Sequence, residues 1–361
     1  MKVTTVGIDL AKNVLQVHGV DGRGKTVLRK RLKRDQMAAF FANLPACLIG
    51  MEACGSAHHW ARKLQSLGHT VKLMAPQFVK PYVKTNKNDV ADAEAICEAV
   101  ARPNMRFVPI KTAEQQSVLS LHRARQSFVK ARTAQANQIR GLLGEYGVVI
   151  PQGIGCVAER LPQILEDGEN GVPGQFRRLL ERLGENLKEM DRQVDELERE
   201  IKTWHRESEA SRKLEEIPGI GPILALTILA EAGDLRRFSH HRQFLKFCGL
   251  DLATEQSGQF RGLSRLSKRG NARLRAVFWM AASVAVRMRE NSFRAKFERY
   301  MRSDPGNTDR KRKAYVAVAA KIARVAYALV RSGADYRCFP EVAVPSGRTR
   351  SAWAVEAIPT S

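Results

Sequence analysis

The first 75 residues alternate between short apolar runs of the strand type and longer stretches of the helical type. Runs typical of β-strands cover residues 3–9, 14–19, 25–32, 47–51 and 70–74. Helical patterns cover residues 34–43 and 56–67. Three meandering strands followed by alternating helices and strands predict an α/β domain.

A long helical pattern from residue 112 to residue 146 carries a stripe of basic side chains. Residues Thr112 and Gln115 at its start resemble a capping box. The basic side chains recur seven residues apart in two pairs, Arg123 with Lys130 and Arg125 with Arg132. A solvated charged face is one interpretation of this stripe. The scarcity of acidic residues on the helix favours the other, a surface that faces phosphates.

After a connector rich in Pro and Gly, apolar residues recur at alternating steps of four and three residues. The seam consists of Phe176, Leu180, Leu183, Leu187, Met190, Val194, Leu197, Ile201 and Trp204. This heptad pattern predicts one long helix, which could pack in an antiparallel hairpin within its chain or along a second chain. We expect self-association, because so narrow a seam suits a partner helix better than a broad core.

The segment from Ile217 to Pro222, with the sequence IPGIGP, precedes an apolar helix that extends to about Ala232. A turn of this kind between two helices resembles a helix-hairpin-helix element. In such an element, backbone N–H groups near Gly219 and Gly221 would hold a phosphate. An ordinary turn between two helices is the alternative.

The charge balance points to a nucleic-acid partner. The chain has 60 Lys and Arg against 37 Asp and Glu, and 19 against 4 between Gln259 and Arg331. No apolar run reaches the roughly 18–20 residues of a membrane-spanning helix. The six cysteines form no C-x-x-C pair or zinc spacing, and scattered thiols fit a reducing compartment. We therefore expect a cytoplasmic protein that binds nucleic acid and not a membrane.

Four carboxylates stand where they could hold divalent metal ions. Asp9 and Glu52 end predicted strands, and Asp89 and Asp92 project from one face of a predicted helix start. Two Mg²⁺ ions about 3.5–4 Å apart would activate a nucleophile and neutralise a leaving oxygen in phosphodiester cleavage. Structural roles are the alternative, namely turns, caps or interactions with a helix dipole. The occurrence of all four in the order of the ribonuclease H fold favours the metal site.

Ser257 and Gly258 lie in a predicted loop ahead of an arginine-dense segment. A serine there could act as a nucleophile, with neighbouring cations stabilising its alkoxide and holding the phosphate. On these residues alone, an everyday Ser-Gly turn is the simpler interpretation.

Taken together, these segments resemble the DEDD transposases of the insertion sequence 110 family, and most closely its insertion sequence 1111 branch. The resemblance covers nearly the whole chain, because the matching segments occur together and in the order of the family. They are residues 7–12 (GIDLAK), 50–60 (GMEACGSAHHW), 87–95 (KNDVADAEA), 217–221 (IPGIG), 257–258 (SG) and 267–271 (SKRGN).

The resemblance implies an N-terminal α/β domain of the RuvC-like, ribonuclease H type, here residues 1–111. A helical linker and coiled coil, residues 112–212, would follow. A mainly α-helical transposase domain with the helix-hairpin-helix-like element would occupy residues 213–337, and we expect a disordered tail at 338–361. RuvC-like and transposase domains of different protomers would form a composite site, with dimers assembling into a tetramer on DNA.

The same resemblance implies that Asp9, Glu52, Asp89 and Asp92 bind two Mg²⁺ ions and that Ser257 becomes joined to DNA through a phosphoserine link. A structured bridge RNA would guide the protein by pairing with target and donor DNA. Nucleic-acid contacts are expected in the basic and glycine-containing segments, at Arg123, Arg125, Lys130, Arg132, Gly219, Gly221, Arg261, Arg265, Lys268, Arg269, Arg273 and Arg275.

The leading hypothesis is a nucleoid-associated, site-specific DNA recombinase that excises and inserts its own element. One alternative is a metal-dependent nuclease resembling a Holliday-junction resolvase, which would use the carboxylates and water and leave Ser257 idle. The other is a non-enzymatic helix-hairpin-helix DNA-binding protein.

Overall fold

A computed structural model describes residues 2–84, 88–254, 256–262, 264–289 and 291–337 of the protein. The chain divides into two compact units, the first ending at Arg123 and the second beginning at Ala124. The three domain boundaries expected from the sequence stay predictions. The expected disorder of residues 338–361 falls outside the described residues.

The first unit is built on a six-stranded mixed sheet. Its strands are β1 (Thr5–Leu10), β2 (Val14–Val20), β3 (Thr26–Lys33), β4 (Leu48–Glu52), β5 (Thr70–Met74) and β6 (Phe107–Val108). They lie in the order β3-β2-β1-β4-β5-β6. Strands β1, β4 and β5 are parallel, and the remaining neighbours are antiparallel. The five strands predicted from the apolar pattern are present within about two residues, and the mixed α/β class is confirmed.

Helices cover both faces of this sheet. They are α1 (Met37–Ala42), α2 (Ala57–Ser66), α3 (Pro76–Val79) and α4 (Asp89–Val100). On one face, Ile8 and Met51 are buried in a core with Phe41 of α1 and Leu64 of α2. On the other face, α4 packs across β2, β1 and β4. A strand buries alternate residues on opposite faces, so the residues between the core positions of β1 and β4 face α4.

The second unit is mostly helical, as expected. Its helices are α5 (Ala113–Gly144, which begins in the first unit), α6 (Ile154–Glu166), α7 (Gly174–Glu207), α8 (Glu209–Glu215), α9 (Pro222–Ala232), α10 (His241–Cys248), α11 (Ala272–Ala285), α12 (Ser292–Met301) and α13 (Thr308–Ser332). One apolar core joins α5, α6 and α7, and a larger one joins α8 through α13. None of the described helices is long and apolar enough to cross a membrane.

Helix α7 packs antiparallel to α5 within the same chain. Arg125 of α5 forms an ion pair with Glu198 at 2.5 Å, and Arg132 forms one with Asp191 at 2.6 Å. Four of the nine residues of the heptad seam are fully buried within the chain, namely Leu180, Leu187, Val194 and Ile201. The other five, including Leu183 and Leu197, are only partly buried. The intrachain hairpin that the sequence left open is therefore present, and self-association through the seam stays a prediction.

Candidate catalytic residues and nucleic-acid surface

Asp9 and Glu52 lie at the same end of two adjacent parallel strands. Ile8 of β1 is in register with Met51 of β4, so the next residue of each strand is one of the two acids. Each acid lies two residues beyond a glycine, Gly7 or Gly50, and these two glycines are themselves in register. Because side chains two residues apart share a face, both carboxylates belong to the face that α4 covers. Both are half-buried.

The two glycines allow α4 to lie directly on the sheet. A Cβ atom on Gly7 would stand 2.2 Å from the carbonyl oxygen of Ala93 and 2.3 Å from the backbone N of Cys97. A Cβ atom on Gly50 would stand 2.7 Å from the Cβ of Val100. Any larger residue would push the helix away. The glycines therefore fix α4, and with it the acids of its first turn, over the strands that carry Asp9 and Glu52.

Asp89 and Asp92 occupy the first turn of α4, as the spacing predicts. Asn88 caps the helix, and its side-chain oxygen accepts a hydrogen bond from the N–H of Ala91 at 2.8 Å. Since Asn88 supplies this cap, neither aspartate is needed for it. Asp89 is exposed and Asp92 is half-buried. The neighbouring motif residue Lys87 lies outside the described residues.

Glu98, on the same helix, differs from Asp89 and Asp92 in its surroundings. Glu98, two turns further along, pairs with Lys84 at 2.8 Å and with Arg102 at 2.5 Å. The hydrogen bond from Lys84, followed by that from Arg102, lowers the pKa of the Glu98 carboxyl. Glu98 is thus neutralised by two cations and is unsuited to bind a third.

The charges of Glu52 and Asp9 converge near one thiol. Cys54 is at the surface but shielded by the surrounding chain. This partial burial raises the pKa of the Cys54 thiol, and the negative charges of Glu52 and then Asp9 raise it further. Both carboxylates therefore act on the same point at the carboxyl ends of β1 and β4.

Oxygen donors of this kind suit a hard divalent cation. Among the described residues, no three His, Cys, Asp or Glu side chains are gathered closely enough to hold a metal ion. The donor chemistry and the shared sheet face thus fit a cation, while a closed ligand set is not formed. The quartet of Asp9, Glu52, Asp89 and Asp92 stays a prediction.

Ser257 lies near the exposed tip of a β-hairpin arm, which we define by the described residues 251–254, 256–262 and 264–267. At the base of the arm, β7 (Leu252–Ala253) pairs with β10 (Arg265–Leu266). Nearer the tip, β8 (Gln256–Ser257) pairs with β9 (Phe260–Arg261) around a turn in which Gly258 has a positive φ of 55°. The loop expected from sequence is therefore a projecting hairpin, and it leaves Ser257 open to a substrate.

A second serine is close to a histidine but is buried. His205 Nδ1 lies 2.8 Å from the hydroxyl of Ser211, and its Nε2 lies 2.8 Å from Glu215 Oε2. Ser211 is 0% exposed, so no substrate reaches its oxygen. This group ties the end of α7 to α8, and it leaves Ser257 as the better candidate nucleophile.

The structure divides the predicted basic stripe of α5 into two pairs. Arg123 and Lys130 are exposed. Arg125 and Arg132 are half-buried and engaged with acids of α7. Only the first pair is thus presented to solvent as a phosphate-binding surface would require.

The predicted helix-hairpin-helix glycines also differ from each other. Gly219 has a φ of +90°, and a Cβ on it would stand 2.2 Å from the carbonyl oxygen of Ala281, so it packs against α11. Gly221 precedes α9 in open space. Of this pair, Gly221 is the one with room for a ligand beside its backbone.

Around the arm, the predicted contacts are mostly at the surface. Exposed side chains are those of Arg265, Lys268, Arg269 and Arg273. Arg275 is half-buried and donates to the carbonyl oxygen of Lys268 at 3.3 Å. The side chain of Arg261 falls outside the described part of the structure. The sequence did not point to Glu231, a buried acid under this segment, although it is the only charged residue in apolar α9.

Two segments of the chain match known families. Residues 6–148, which contain the four carboxylates, match the DEDD_Tnp_IS110 transposase family. Residues 211–298, which contain Ser257, match the family described as Transposase IS116/IS110/IS902.

Full-length relatives agree with these matches. A "Probable family 20 transposase" of Pseudomonas aeruginosa is 43% identical over 341 residues, covering 93% of this chain and 99% of the relative. The "Transposase for insertion sequence element IS1111A" of Coxiella burnetii is 38% identical, covering 93% and 92%. The "Transposase for insertion sequence element IS1328" of Yersinia enterocolitica is 41% identical, covering 80% and 85%.

The α/β unit with strand-end carboxylates and the helical unit with the serine arm are thus the two parts of an insertion-sequence transposase. The chain belongs to the IS110 family of these enzymes, and the resemblance recognised in its sequence is confirmed. A transposase acts on DNA, which accounts for the excess of basic residues.

Proposed function

We propose that this transposase cuts and rejoins element and target DNA as a recombinase that uses Ser257 as its nucleophile. The observation that carries the proposal is the position of Ser257, exposed on the arm ahead of the exposed cations Arg265, Lys268 and Arg269. Arginine and lysine side chains there would hold the phosphate and stabilise the negative charge that develops on it.

The step is a transesterification. The oxygen of Ser257 forms a bond to phosphorus, and the bond from phosphorus to a deoxyribose oxygen breaks. The hydroxyl proton leaves to a base and the departing oxygen takes up a proton. The Ser257–DNA link retains the free energy of the broken phosphodiester bond, so rejoining by a DNA hydroxyl needs no nucleotide cofactor.

Asp9, Glu52, Asp89 and Asp92 would hold divalent cations, which we expect to be two Mg²⁺ ions in a RuvC-like, ribonuclease H type domain. When bound, the ions would neutralise charge on the reacting phosphate. The carboxylates are delivered by the ends of β1 and β4 and by the first turn of α4, which the glycines beneath it hold in place. Their task is to bind and orient, whereas the covalent bond is made by Ser257.

Family resemblance extends the proposal to a structured guide RNA and to an oligomer of dimers or tetramers. The net charge of +23 suits two nucleic-acid partners. Base pairing by such an RNA would specify the DNA sequence, with little readout by side chains. Sequencing the RNA that co-purifies with the protein tests this part directly.

The catalytic proposal is tested with the Ser257→Ala and Asp89→Asn variants in an excision assay with element-end DNA and the co-purified RNA. Both variants should lose strand exchange while still binding DNA. Strand exchange that persists in Ser257→Ala would overturn the serine mechanism. Full activity of Asp89→Asn would remove Asp89 from the proposed metal site.

A further inference from the structure

A buried carboxylate lies beneath the segment that leads from the arm into α11. Glu231, near the end of α9, is 7% exposed. Its Oε2 accepts a hydrogen bond from Asn271 Nδ2 at 2.8 Å, and its Oε1 accepts one from Arg273 Nη1 at 3.0 Å. Burying a carboxylate costs free energy that partners must offset, and replacing a buried ion pair by apolar residues is often stabilising. A purely stabilising role is therefore a poor explanation for an acid in this apolar helix.

Asn271 links the carboxylate of Glu231 to the backbone at the start of α11. Its side-chain oxygen caps α11 by accepting hydrogen bonds from the N–H groups of Arg273 at 2.9 Å and Leu274 at 3.1 Å. Its own backbone N–H donates to the carbonyl oxygen of Phe247 at 2.7 Å. With the oxygen turned to the helix, the amide NH₂ must find an acceptor elsewhere, and Glu231 supplies it.

The segment between the arm and Asn271 is held in an unusual conformation. Lys268 has a φ of +54°, which is uncommon for a residue with a side chain. A Cβ on Gly270 would stand 2.2 Å from the backbone N of Gly249, so the chain is pressed against the end of α10. Such conformations persist only where the surrounding structure over-determines them.

Two sets of hydrogen bonds hold this segment in place. At the base of the arm, the Ser267 hydroxyl bonds to the Asp251 carboxylate, and the N–H of Ser267 donates to the carbonyl oxygen of Asp251 at 2.9 Å. Four residues later, the Glu231–Asn271 bond fixes where the segment that follows β10 meets α11. The segment between the arm and α11 is thus anchored on both sides of Lys268.

We propose that Glu231 is a positioning residue for Ser257, acting through Asn271 and Arg273 to fix the base of the arm. The proposal rests on the proposed function of Ser257. A nucleophile displaced by about 1 Å can lose about a hundredfold in rate, so a loosened arm should slow bond formation more than DNA binding.

The test uses Glu231→Gln, which keeps the size of the side chain but replaces one acceptor with an NH₂ group. The rate of covalent adduct formation with element-end DNA should fall about tenfold or more, with the Kd for DNA unchanged within about twofold. Hydrogen exchange should rise in residues 251–271 and not in α13. Glu298→Gln, which removes an exposed acid paired with Arg294, is the matched control and should keep the wild-type rate.

A polarity swap separates positioning from general stability. When Glu231→Gln is combined with Asn271→Asp, the introduced amide can donate to the introduced carboxylate, which still caps α11. The double variant should recover most of the lost rate. A wild-type rate in Glu231→Gln, or a folded double variant no faster than the single one, would overturn the proposal. If the wild-type protein forms no adduct at Ser257, the proposed function itself fails and the positioning role falls with it.

Discussion

Gly7 of β1 lies directly beneath Ala93 of α4, so closely that a Cβ on Gly7 would stand 2.2 Å from the carbonyl oxygen of Ala93. This contact connects two parts of the candidate site that are more than 80 residues apart in sequence. Asp9 follows Gly7 on the same face of β1, and Asp92 precedes Ala93 in α4. The absence of a side chain at one residue thus controls how closely the strand-end and helix-borne carboxylates approach.

Gly7→Ala should destabilise the first unit, because the obstructing atoms are backbone and cannot rotate away. We expect the free energy of unfolding to fall by about 2–3 kcal/mol, as measured by chemical denaturation followed by circular dichroism. Gly55→Ala is the matched control, because a Cβ there meets no atom within 4 Å. Equal stability of the two variants would contradict the close packing of α4 on β1.

The ion pair between Arg125 and Glu198 should stabilise the α5–α7 hairpin. Both side chains are 24% exposed, so solvent screens them less than surface groups. A double-mutant cycle with Arg125→Met and Glu198→Gln should give a coupling free energy of about 1 kcal/mol in thermal or chemical unfolding. The exposed pair of Lys313 and Asp309 should give a much smaller coupling. A coupling near zero for Arg125 and Glu198 would mean that the pair is unimportant in solution.

Exposed Arg123 and Lys130 should contribute more to nucleic-acid binding than their paired neighbours do. Replacing either with Gln should weaken binding of duplex DNA or RNA about equally for all sequences, and reduce the slope of log K against log salt by about 1. Arg132→Gln, which breaks the pair with Asp191, should leave that slope unchanged. If Arg132→Gln reduced the slope more than the replacement of Arg123 or Lys130 did, α5 would bind nucleic acid through its other face.

His58 should make the stability of the first unit depend on pH. Burial lowers its pKa to about 4, and the positive charges of Lys111, Arg62 and Arg123 act in the same direction. The folded state therefore holds neutral His58, whose Nδ1 accepts a hydrogen bond from the N–H of Lys111 at 3.2 Å. The unfolded chain binds the proton below about pH 6.5, so stability is full above that pH and falls as the pH drops towards 4.

The loss should reach no more than about 2 kcal/mol, because His58 is only half-buried and solvent screens its charge. In His58→Asn, an amide oxygen can accept the same hydrogen bond without titrating. The melting temperature of this variant should fall less between pH 7 and pH 4.5 than that of the wild type. Parallel profiles for the two proteins would refute the assignment.

The sequence predicted those parts of the fold that have a continuous apolar pattern. Strand β5 lies at the predicted residues 70–74, and α7 encloses the whole heptad seam. Strands β6 to β10 were not predicted, because each has two residues and no period. Such strands exist through their pairing partners, which local sequence does not specify.

The candidate site was predictable to a similar extent. Asp9 and Glu52 could be placed together because parallel strands end at one edge of a sheet. The pairing of Arg125 with Glu198, 73 residues away, could not, since a helix pattern does not name the partner helix. Glu231 could not be predicted for the same reason, because the role of a lone acid in an apolar helix is evident only from its contact with Asn271.

In the proposed mechanism Ser257 becomes bonded to DNA, and peptide mapping of the adduct detects that bond itself. The protein is trapped on element-end DNA, digested with nuclease and trypsin, and analysed by mass spectrometry. Cleavage after Lys246 and Arg261 gives a peptide whose only hydroxyl side chains are Thr254 and Ser257. We expect the nucleotide on Ser257, absent in Ser257→Ala and kept in Ser264→Ala. Recombined DNA without a nucleotide on Ser257 would rule out the serine mechanism.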